Sequence, residues 1–140
     1  MCEPEIRAFE DGDLSAVAAL WDACSLTVPH NASTRDIAFC RASADAELFV
    51  AEHAGRVVAT GMTGHRGWLY HVAVDPGHRG CGLGHRLVAH AEEWLARRGT
   101  SKVNLMIRDT NEAARGFWEA GGHATEPRTV RAHFLGGAAD

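Results

Sequence analysis

Apolar residues recur along the chain at two spacings, and each spacing predicts a different kind of secondary structure. A spacing of three or four residues, together with helix-start residues, predicts four helices, over residues 14–24, 33–42, 83–98 and 111–120. Asp13 is placed to cap the first helix, and Ser33 with Asp36 resembles a capping box at the start of the second. Roughly a third of the chain is therefore expected to be helical.

Alternating apolar and polar residues, bounded by turn signals, predict the extended segments. Strands are predicted over residues 5–9, 47–52, 56–63, 68–74 and 103–107, with two further short strands between residues 123 and 134. The resulting element order is β-α-α-β-β-β-α-β-α-β-β. This order predicts an α/β fold of the α+β kind, with one mixed sheet, in a single domain over residues 1–140.

Composition and charge exclude several classes of protein. The 140 residues are 46% hydrophobic and 23% charged, which is typical of a globular domain and not of a disordered chain. The formal net charge of −4, with no run of basic residues, argues against nucleic acid as a partner. Apolar runs are too short to cross a bilayer, and the first residues are acidic where a secretory signal is basic. We therefore expect a cytoplasmic protein with no membrane partner. Free thiols fit its four cysteines better than disulfides do, although an even number of cysteines also permits two bridges.

The strongest chemical signal is a glycine-rich turn that links a predicted strand to a predicted helix. Gly80, Gly82 and Gly84 let the backbone curl without obstruction from Cβ atoms, so several N–H groups can point at one anion. The unpaired amides at the start of the helix add partial positive charge at the same point. We predict a phosphate or pyrophosphate site at this turn, assisted by Arg79 or His85.

Two other phosphate-binding motifs do not fit this turn. A Walker loop needs Gly-Lys-Ser or Gly-Lys-Thr, and the sequence contains neither. A dinucleotide-binding turn follows the first strand of a βαβ unit, whereas this turn follows a predicted meander. The nine histidines show no spacing typical of a metal site, so no metal is expected.

Two motifs of the sequence resemble those of one enzyme family. Residues 79–84, Arg-Gly-Cys-Gly-Leu-Gly, match the signature Q/R-x-x-G-x-G/A, and residues 72–76 match the strand that leads into it. Residues 111–122 are similar to a later helix with the pattern N-x-x-A-x-x-F-Y-x-x-x-G-F. These motifs and the element order resemble the GNAT superfamily of N-acetyltransferases over nearly the whole chain. Within it, the sequence looks closest to short stand-alone bacterial members of the YpeA type.

The resemblance implies acetyl-CoA as the acetyl donor and direct attack on its thioester by a primary amine, within a ternary complex. The amine would belong to a small molecule, a peptide or a protein, and residues 25–35 with the carboxy-terminal strands would bind it. Amides of the glycine turn would hold the pyrophosphate, and the edge of strand 72–74 would pair with the pantetheine arm where it splays from strand 103–107. The implied cofactor-binding residues are Val72, Ala73, Val74, Arg79, Gly80, Cys81, Gly82, Leu83, Gly84, His85, Asn111 and Trp118.

Two positions depart from the family's pattern. The tyrosine with which many members protonate the departing thiolate corresponds to Trp118, and the glutamate that some members use as a base corresponds to Met106. Both side chains are expected to pack as ordinary apolar groups. The remaining catalytic candidates are His71 and Tyr70, which adjoin the strand expected to hold the thioester. Strand alternation predicts that these two side chains point to opposite faces of the sheet, so that at most one reaches the crevice.

A second hypothesis belongs to a different class of protein. The losses at Trp118 and Met106 are compatible with an acyl-CoA-binding sensor or interaction module that has little catalytic activity. A negative net charge favours a cationic amine only weakly, because a global charge says little about one cleft. The sequence also leaves open whether the protein forms a homodimer.

Overall fold

The structure, a computed structural model, describes residues 3–27 and 32–136. Within those ranges its strands and helices follow one another in the predicted order as far as the last helix. They are β1 (Glu5–Ala8), α1 (Leu14–Ala23), α2 (Ser33–Ala42), β2 (Leu48–His53), β3 (Arg56–Gly64), β4 (Trp68–Val74), α3 (Leu83–Arg97) and α4 (Glu112–Ala120). Each of these eight elements begins and ends within about two residues of its predicted bounds, so these predictions are confirmed.

The four strands form one antiparallel sheet in the order β1-β2-β3-β4. Its two faces carry separate apolar clusters. On one face α1 and α2 pack through Val17, Trp21 and Ile37, and on the other face α3 packs through Leu83 and Leu87. Amphipathic helices on both faces of a sheet confirm the predicted α/β fold class.

The predicted strand over residues 103–107 does not form a ladder. Its only contact of this kind among the described residues is one parallel bridge between Trp68 and Asn104. There Leu69 N donates to Asn104 O at 2.9 Å, and Asn104 N donates to Gly67 O at 2.8 Å. The alternation of apolar residues in this segment correctly predicts that one side of it faces the core. It does not make the segment a strand, because a ladder also needs a hydrogen-bonding partner for the backbone.

The two short strands predicted between residues 123 and 134 are also absent from the described part of the chain. Residues 124–136 are exposed and without regular structure. A strand here would need an ordered neighbour, and the segment 103–107, the nearest candidate in the predicted order, offers no ladder of its own. Pro127 additionally lacks the N–H that a ladder requires.

The helix starts differ in detail from the predicted caps. Asp13 is at the N-cap of α1 but makes no capping bond there, because its carboxylate accepts from Glu10 N at 2.8 Å and from Arg7. The prediction of a capping box at α2 is wrong, because Ser33 is already helical and its hydroxyl lies 3.4 Å from that of Thr27. In the described residues no helix is long and apolar enough to cross a membrane.

Candidate active site

The glycine-rich turn lies at the end of β4 and leads directly into α3. Gly80 and Gly82 both have φ of +82°, the left-handed region that L side chains rarely adopt, and Gly82 is the N-cap of α3. A Cβ atom built on either glycine would meet no other atom within 4 Å. The turn is therefore open on its outer side, and a ligand can approach the backbone there.

The first turn of α3 presents backbone amides with no internal acceptor. The first helical bond runs from Arg86 N to Gly82 O at 3.1 Å. Within the described residues, no carbonyl accepts from the amides of Leu83, Gly84 or His85. These three donors and the positive end of the helix dipole lie beside the open glycine turn, which is the arrangement that binds phosphate groups at helix N-termini.

The side chains of Arg79 and His85 connect the glycine-rich turn and the start of α3 to β4 and α4. Arg79 Nε donates to Val74 O at 3.0 Å, which ties the turn to the end of β4. The imidazole of His85 stacks on Phe117 of α4, with ring centroids 4.2 Å apart. A Cβ on Gly84 would come within 2.8 Å of the same Phe117 ring, so Gly84 is the residue that lets α3 and α4 approach.

Cys81 corrects one expectation from the sequence. Cys24 and Cys40 carry free thiols, but Cys81 takes part in a disulfide. The prediction of four free thiols is therefore wrong at this position. Spacing alone could not reveal it, because a disulfide depends on which chain segments meet in space.

The segment 103–107 follows the edge of β4 but pairs with it at one point in the described chain. The two are joined at the Trp68–Asn104 bridge, and past that bridge no ladder pair connects them in the described chain. The outer edge of β4 from Tyr70 to the glycine turn is therefore left without a strand partner. Val72 and Val74 pack towards α3 and Ala73 packs towards α1, so these side chains lie in the two apolar clusters and leave the backbone edge between them without a strand partner.

A β-bulge interrupts β4 halfway along this edge. Tyr70 pairs with Met62 and Ala73 pairs with Thr60, so His71 and Val72 together face the single residue between those two partners. His71 has φ of +50°, which is strained for a residue with a Cβ atom. Buried hydrogen bonds hold it there.

Thr60, on the neighbouring strand, is the centre of those bonds. Its hydroxyl donates to His71 O at 2.8 Å and accepts from Trp21 Nε1 at 2.8 Å. Thr60 and Trp21 are both fully buried. The bulge is thus fixed by a two-bond chain that runs from α1 through β3 to β4, and each buried polar group in it has a partner.

The bulge places Tyr70 and His71 on the same face of the sheet. Tyr70 lies opposite Met62, which belongs to the cluster under α1 and α2, and His71 stacks on Trp21 with ring centroids 4.1 Å apart. The prediction that the two side chains point to opposite faces is wrong, because a bulge breaks the two-residue period that the prediction assumed.

His71 pairs with a carboxylate that the sequence did not single out as a functional group. Its Nε2 lies 3.3 Å from Asp36 Oδ2 of α2, and Nδ1 is buried with no hydrogen-bond partner. Burial lowers the pKa of His71 below its usual value, and this outweighs the opposite effect of the Asp36 carboxylate. The imidazole is therefore neutral at neutral pH, with Nε2–H donating to Asp36 and a lone pair on Nδ1.

Tyr70 lies beside this pair in an aromatic shelf. Its ring covers Gly64, where a Cβ would come within 2.5 Å of it, and is nearly parallel to Trp68 at 6.4 Å between centroids. Burial raises the pKa of Tyr70, so its hydroxyl stays protonated at neutral pH. A protonated phenol can donate a hydrogen bond or a proton.

The two positions that depart from the family's pattern behave differently from each other. Trp118 packs as expected, 8% exposed and edge-on to Phe117 and His123 at 5.0 Å between centroids. Met106 is 58% exposed, so the expectation that it packs is wrong. Residues 103, 105 and 107 face the core, and their alternation turns Met106 outwards.

Asn111 has a structural task in addition to any binding role. Its side-chain oxygen accepts from Ala114 N at 3.0 Å and caps α4.

The predicted acceptor loop, residues 25–35, lies partly outside the described residues. In the part that is described, no cluster of three or more His, Cys, Asp or Glu side chains is placed to hold a metal ion.

Known proteins resemble this chain in sequence and in structure. A model of the acetyltransferase (GNAT) family matches residues 14–122. An acetyltransferase of Yersinia enterocolitica is 40% identical over 119 residues, which cover 82% of this chain and 84% of that protein. A solved acetyltransferase of Trypanosoma brucei has TM-score 0.74 at 28% identity, over 94% of this chain and 100% of the other. The aminoglycoside N-acetyltransferase AAC(6')-Iy, solved with CoA, has TM-score 0.83 at 16% identity over 95% of each chain, which shows a shared fold alone.

Proposed function

The chain belongs to the GNAT family of acetyltransferases, and we propose that it transfers acetyl from acetyl-CoA to a primary amine by direct attack in a ternary complex. That it is an N-acetyltransferase follows from the family. The acceptor, the mechanism and the residue roles are the proposal. The acceptor is a small molecule or a peptide or protein amino group, and the proposed compartment is the cytoplasm.

The observation that carries the proposal is the amide-lined turn at the end of an unpaired strand edge. The amides of Leu83, Gly84 and His85 would bind the pyrophosphate of CoA. The edge of residues 72–74, which has no strand partner and where Val74 O already accepts from Arg79 Nε, would bond the two amides of the pantetheine arm, as an added strand would. An arm bound in this direction brings its sulfur towards the bulge at His71.

The proposed reaction needs one base and one acid. The amine nitrogen bonds to the thioester carbonyl carbon, backbone N–H groups stabilise the oxyanion, and the C–S bond then breaks. The proton lost by the amine would go to the lone pair on Nδ1 of the neutral His71, an atom that is buried in the free protein and that must be uncovered when the acceptor binds. Tyr70, protonated at neutral pH, is the proposed donor to the departing thiolate.

A second candidate function is an acyl-CoA-binding module without efficient chemistry. It is favoured by the absence of titratable side chains at Trp118 and Met106. Both candidates use the same cofactor site. They differ in whether bound acetyl leaves CoA when amines are present.

Mass spectrometry of single-turnover reactions separates the two candidates. Acetyl-CoA is mixed with the protein and a panel of aliphatic, aryl and peptide amines, and acetylated product is counted against CoA released. Mass detection is preferred because the partly exposed free thiol of Cys24 would react with thiol dyes. Equal amounts of acetylated amine and CoA support the enzyme, whereas micromolar CoA binding with no transfer to any amine supports the module.

The pH dependence tests the role given to His71. A base must be neutral to accept a proton, and the pKa of His71 lies below its usual value near 6.5. We expect kcat/KM to be flat down to about pH 6.5 and to fall only as the pH drops through that lowered pKa. His71→Gln, which keeps a flat polar side chain, should remove this limb and lower kcat; an unchanged profile contradicts the role.

A further inference from the structure

A groove at the beginning of β4 is rich in positive charge, although the chain as a whole is acidic, with a formal net charge of −4. It has a volume of about 970 Å³ and lies between the turn that joins β3 to β4, the end of α3 and the segment 99–104. Its cationic side chains are Arg66, Arg97, Arg98, Lys102 and Arg128. They outnumber the carboxylates that line the groove or pair with its lining, which are Asp45, Glu93 and Glu126.

Two of these cations have no carboxylate partner in the part of the chain that the structure describes. Arg66 is exposed, and its guanidinium makes no ion pair there. Arg98 lies over the ring of Trp94, at 4.5 Å from the ring centroid, and donates to Ala44 O at 2.6 Å. Both guanidinium groups therefore keep donors that a ligand carboxylate can use.

The other three cations share two exposed glutamates. Arg97 pairs with Glu93 at 2.6 Å, and Lys102 and Arg128 both lie 3.2 Å from Glu126. Exposed ion pairs of this kind contribute at most about 1 kcal/mol each. A ligand carboxylate can therefore share these cations or replace one of the glutamates at little cost.

The backbone around Arg66 is strained and firmly held. Its φ of +65° lies in the left-handed region, which is uncommon for a residue with a long side chain. Asn104 fixes the turn from the other side, because its Nδ2 donates to Arg66 O at 3.3 Å and its backbone N donates to Gly67 O at 2.8 Å. Strain of this kind persists where the surrounding structure enforces it, and it is frequent at binding sites. The turn thus presents Arg66 to the groove from a fixed backbone.

Two half-buried tryptophans, Trp68 and Trp94, also line the groove. Tryptophan and arginine are the residues most often found at the energetic centre of protein interfaces. The volume of the groove is close to the upper end of the range, about 300–1,000 Å³, in which pockets hold a drug-sized molecule, so a few residues of a polypeptide fit. Carboxylates among its cations repel the continuous charge of a nucleic-acid backbone and suit a ligand with separated acidic groups.

We propose that this groove binds a short acidic segment of a protein partner. Carboxylates of the segment pair with the guanidinium groups of Arg66 and Arg98, and its apolar side chains pack beside the tryptophan rings. The groove begins at Trp68, six residues or about 20 Å along β4 from Val74, where the glycine-rich turn follows. The partner and CoA therefore bind at opposite ends of the strand, and the proposal does not depend on acetyl transfer.

The first test measures binding of short peptides by calorimetry. The probes are peptides of about six residues in which glutamate occupies every second or every third position among leucines, with both ends blocked so that no amine is present. We expect a Kd of about 10–100 µM for the best of them, because so small an interface binds weakly, and at least tenfold weaker binding when glutamine replaces glutamate. Equal binding of the two sets, or no binding of any acidic peptide at about 1 mM, overturns the proposal. Tighter binding of a single-stranded oligonucleotide also overturns it.

The second test compares two arginines at the two ends of one strand. Arg66→Gln removes a cation of the groove, and Arg56→Gln removes an exposed cation where β3 begins, at the far end of the β3–β4 hairpin. Both variants change the net charge equally. We expect the first to weaken binding of the acidic peptide roughly five- to tenfold and the second less than about twofold. Unchanged CoA affinity in both variants shows that they fold. Equal weakening overturns the proposal, because the peptide would then respond to net charge alone.

The third test locates the peptide on the unaltered protein. The chain has four tryptophans, and each gives one indole N–H signal in a ¹H–¹⁵N spectrum, assigned with Trp→Phe variants. Trp68 and Trp94 line the groove, whereas Trp21 is buried under α1 and Trp118 packs on α4. We expect the acidic peptide to shift the signals of Trp68 and Trp94 and to leave the other two in place. Any other pattern places the peptide elsewhere and overturns the proposal.

Discussion

The two sides of β4 are built from different parts of the chain. The proposed donor side consists of main-chain groups: the amides at the start of α3 and the edge of residues 72–74, which has no strand partner. The proposed acceptor side consists of side chains brought together from distant elements, with Asp36 from α2, Trp21 from α1 and His71 from β4. A main-chain site requires only that glycine and a helix start occupy the right places, whereas a side-chain site requires specific residues.

This difference explains why the two departures from the family's pattern are compatible with activity. Trp118 and Met106 replace side chains and leave the main-chain site untouched. Without those side chains, proton transfer would depend on the proposed acid and base at the bulge of β4, Tyr70 and His71. The comparison predicts that damage to the donor side abolishes every function, and that damage to the acceptor side changes rate and selectivity.

The largest effect is expected from Gly82→Glu on the donor side. The substitution puts a carboxylate beside the amides that would bind pyrophosphate and forces a side chain into a backbone with φ of +82°. We expect the affinity for CoA to fall at least about 1,000-fold, equivalent to about 4 kcal/mol. Isothermal titration calorimetry with CoA measures it.

Gly99→Glu is the matched control for that substitution. Gly99 ends α3, has φ of +89°, and a Cβ there would also meet nothing within 4 Å. Both variants should therefore lose similar stability, about 1–2 kcal/mol, while only the first loses CoA. Similar CoA binding by the two variants would place the pyrophosphate elsewhere.

A smaller effect, confined to the acceptor side, is expected from Thr60→Val. The variant leaves Trp21 Nε1 and His71 O without partners in a buried place. We expect unfolding in urea to show a loss of about 2–4 kcal/mol, from two unsatisfied groups. The folded variant should also lose transfer rate, because the bulge that presents His71 is no longer held.

Thr63→Val separates those two consequences. Thr63 is as buried as Thr60 and lies on the same strand, but its hydroxyl accepts from Glu47 N at 2.9 Å, away from the bulge. It should lose stability and keep its transfer rate under conditions where it is folded. Equal loss of rate in both variants would show that the bulge has no special role.

The donor side was predictable from the sequence because its signals are local. Glycines at alternating positions, a strand before them and an amphipathic helix after them lie within 15 successive residues, 72–86. The bounds of the helices were predictable for the same reason, since three- and four-residue spacing depends on near neighbours.

The acceptor side was not predictable, because each of its features is non-local. The bulge at His71 results from the register with β3, and no pattern in the sequence of β4 marks it. Asp36 was interpreted as part of a capping box, a local interpretation of a residue whose partner is 35 positions away. The segment 103–107 was predicted as a strand because its apolar residues alternate. Alternation indicates which side chains are buried, but it does not indicate whether the backbone has a partner strand.

The smallest effect is expected from restoring the family's tyrosine with Trp118→Tyr. The Trp118 side chain is 8% exposed and enclosed by the rings of Phe117 and His123, so a phenol there would be covered by neighbouring side chains rather than exposed at the edge of β4. We expect the single-turnover rate to change less than about threefold, or under 1 kcal/mol. Met106→Glu, at an exposed position, controls for the other replaced residue and should cost less than about 0.5 kcal/mol of stability. A rise of tenfold or more in Trp118→Tyr would show that thiolate protonation limits the rate and that this position, not Tyr70, reaches the sulfur.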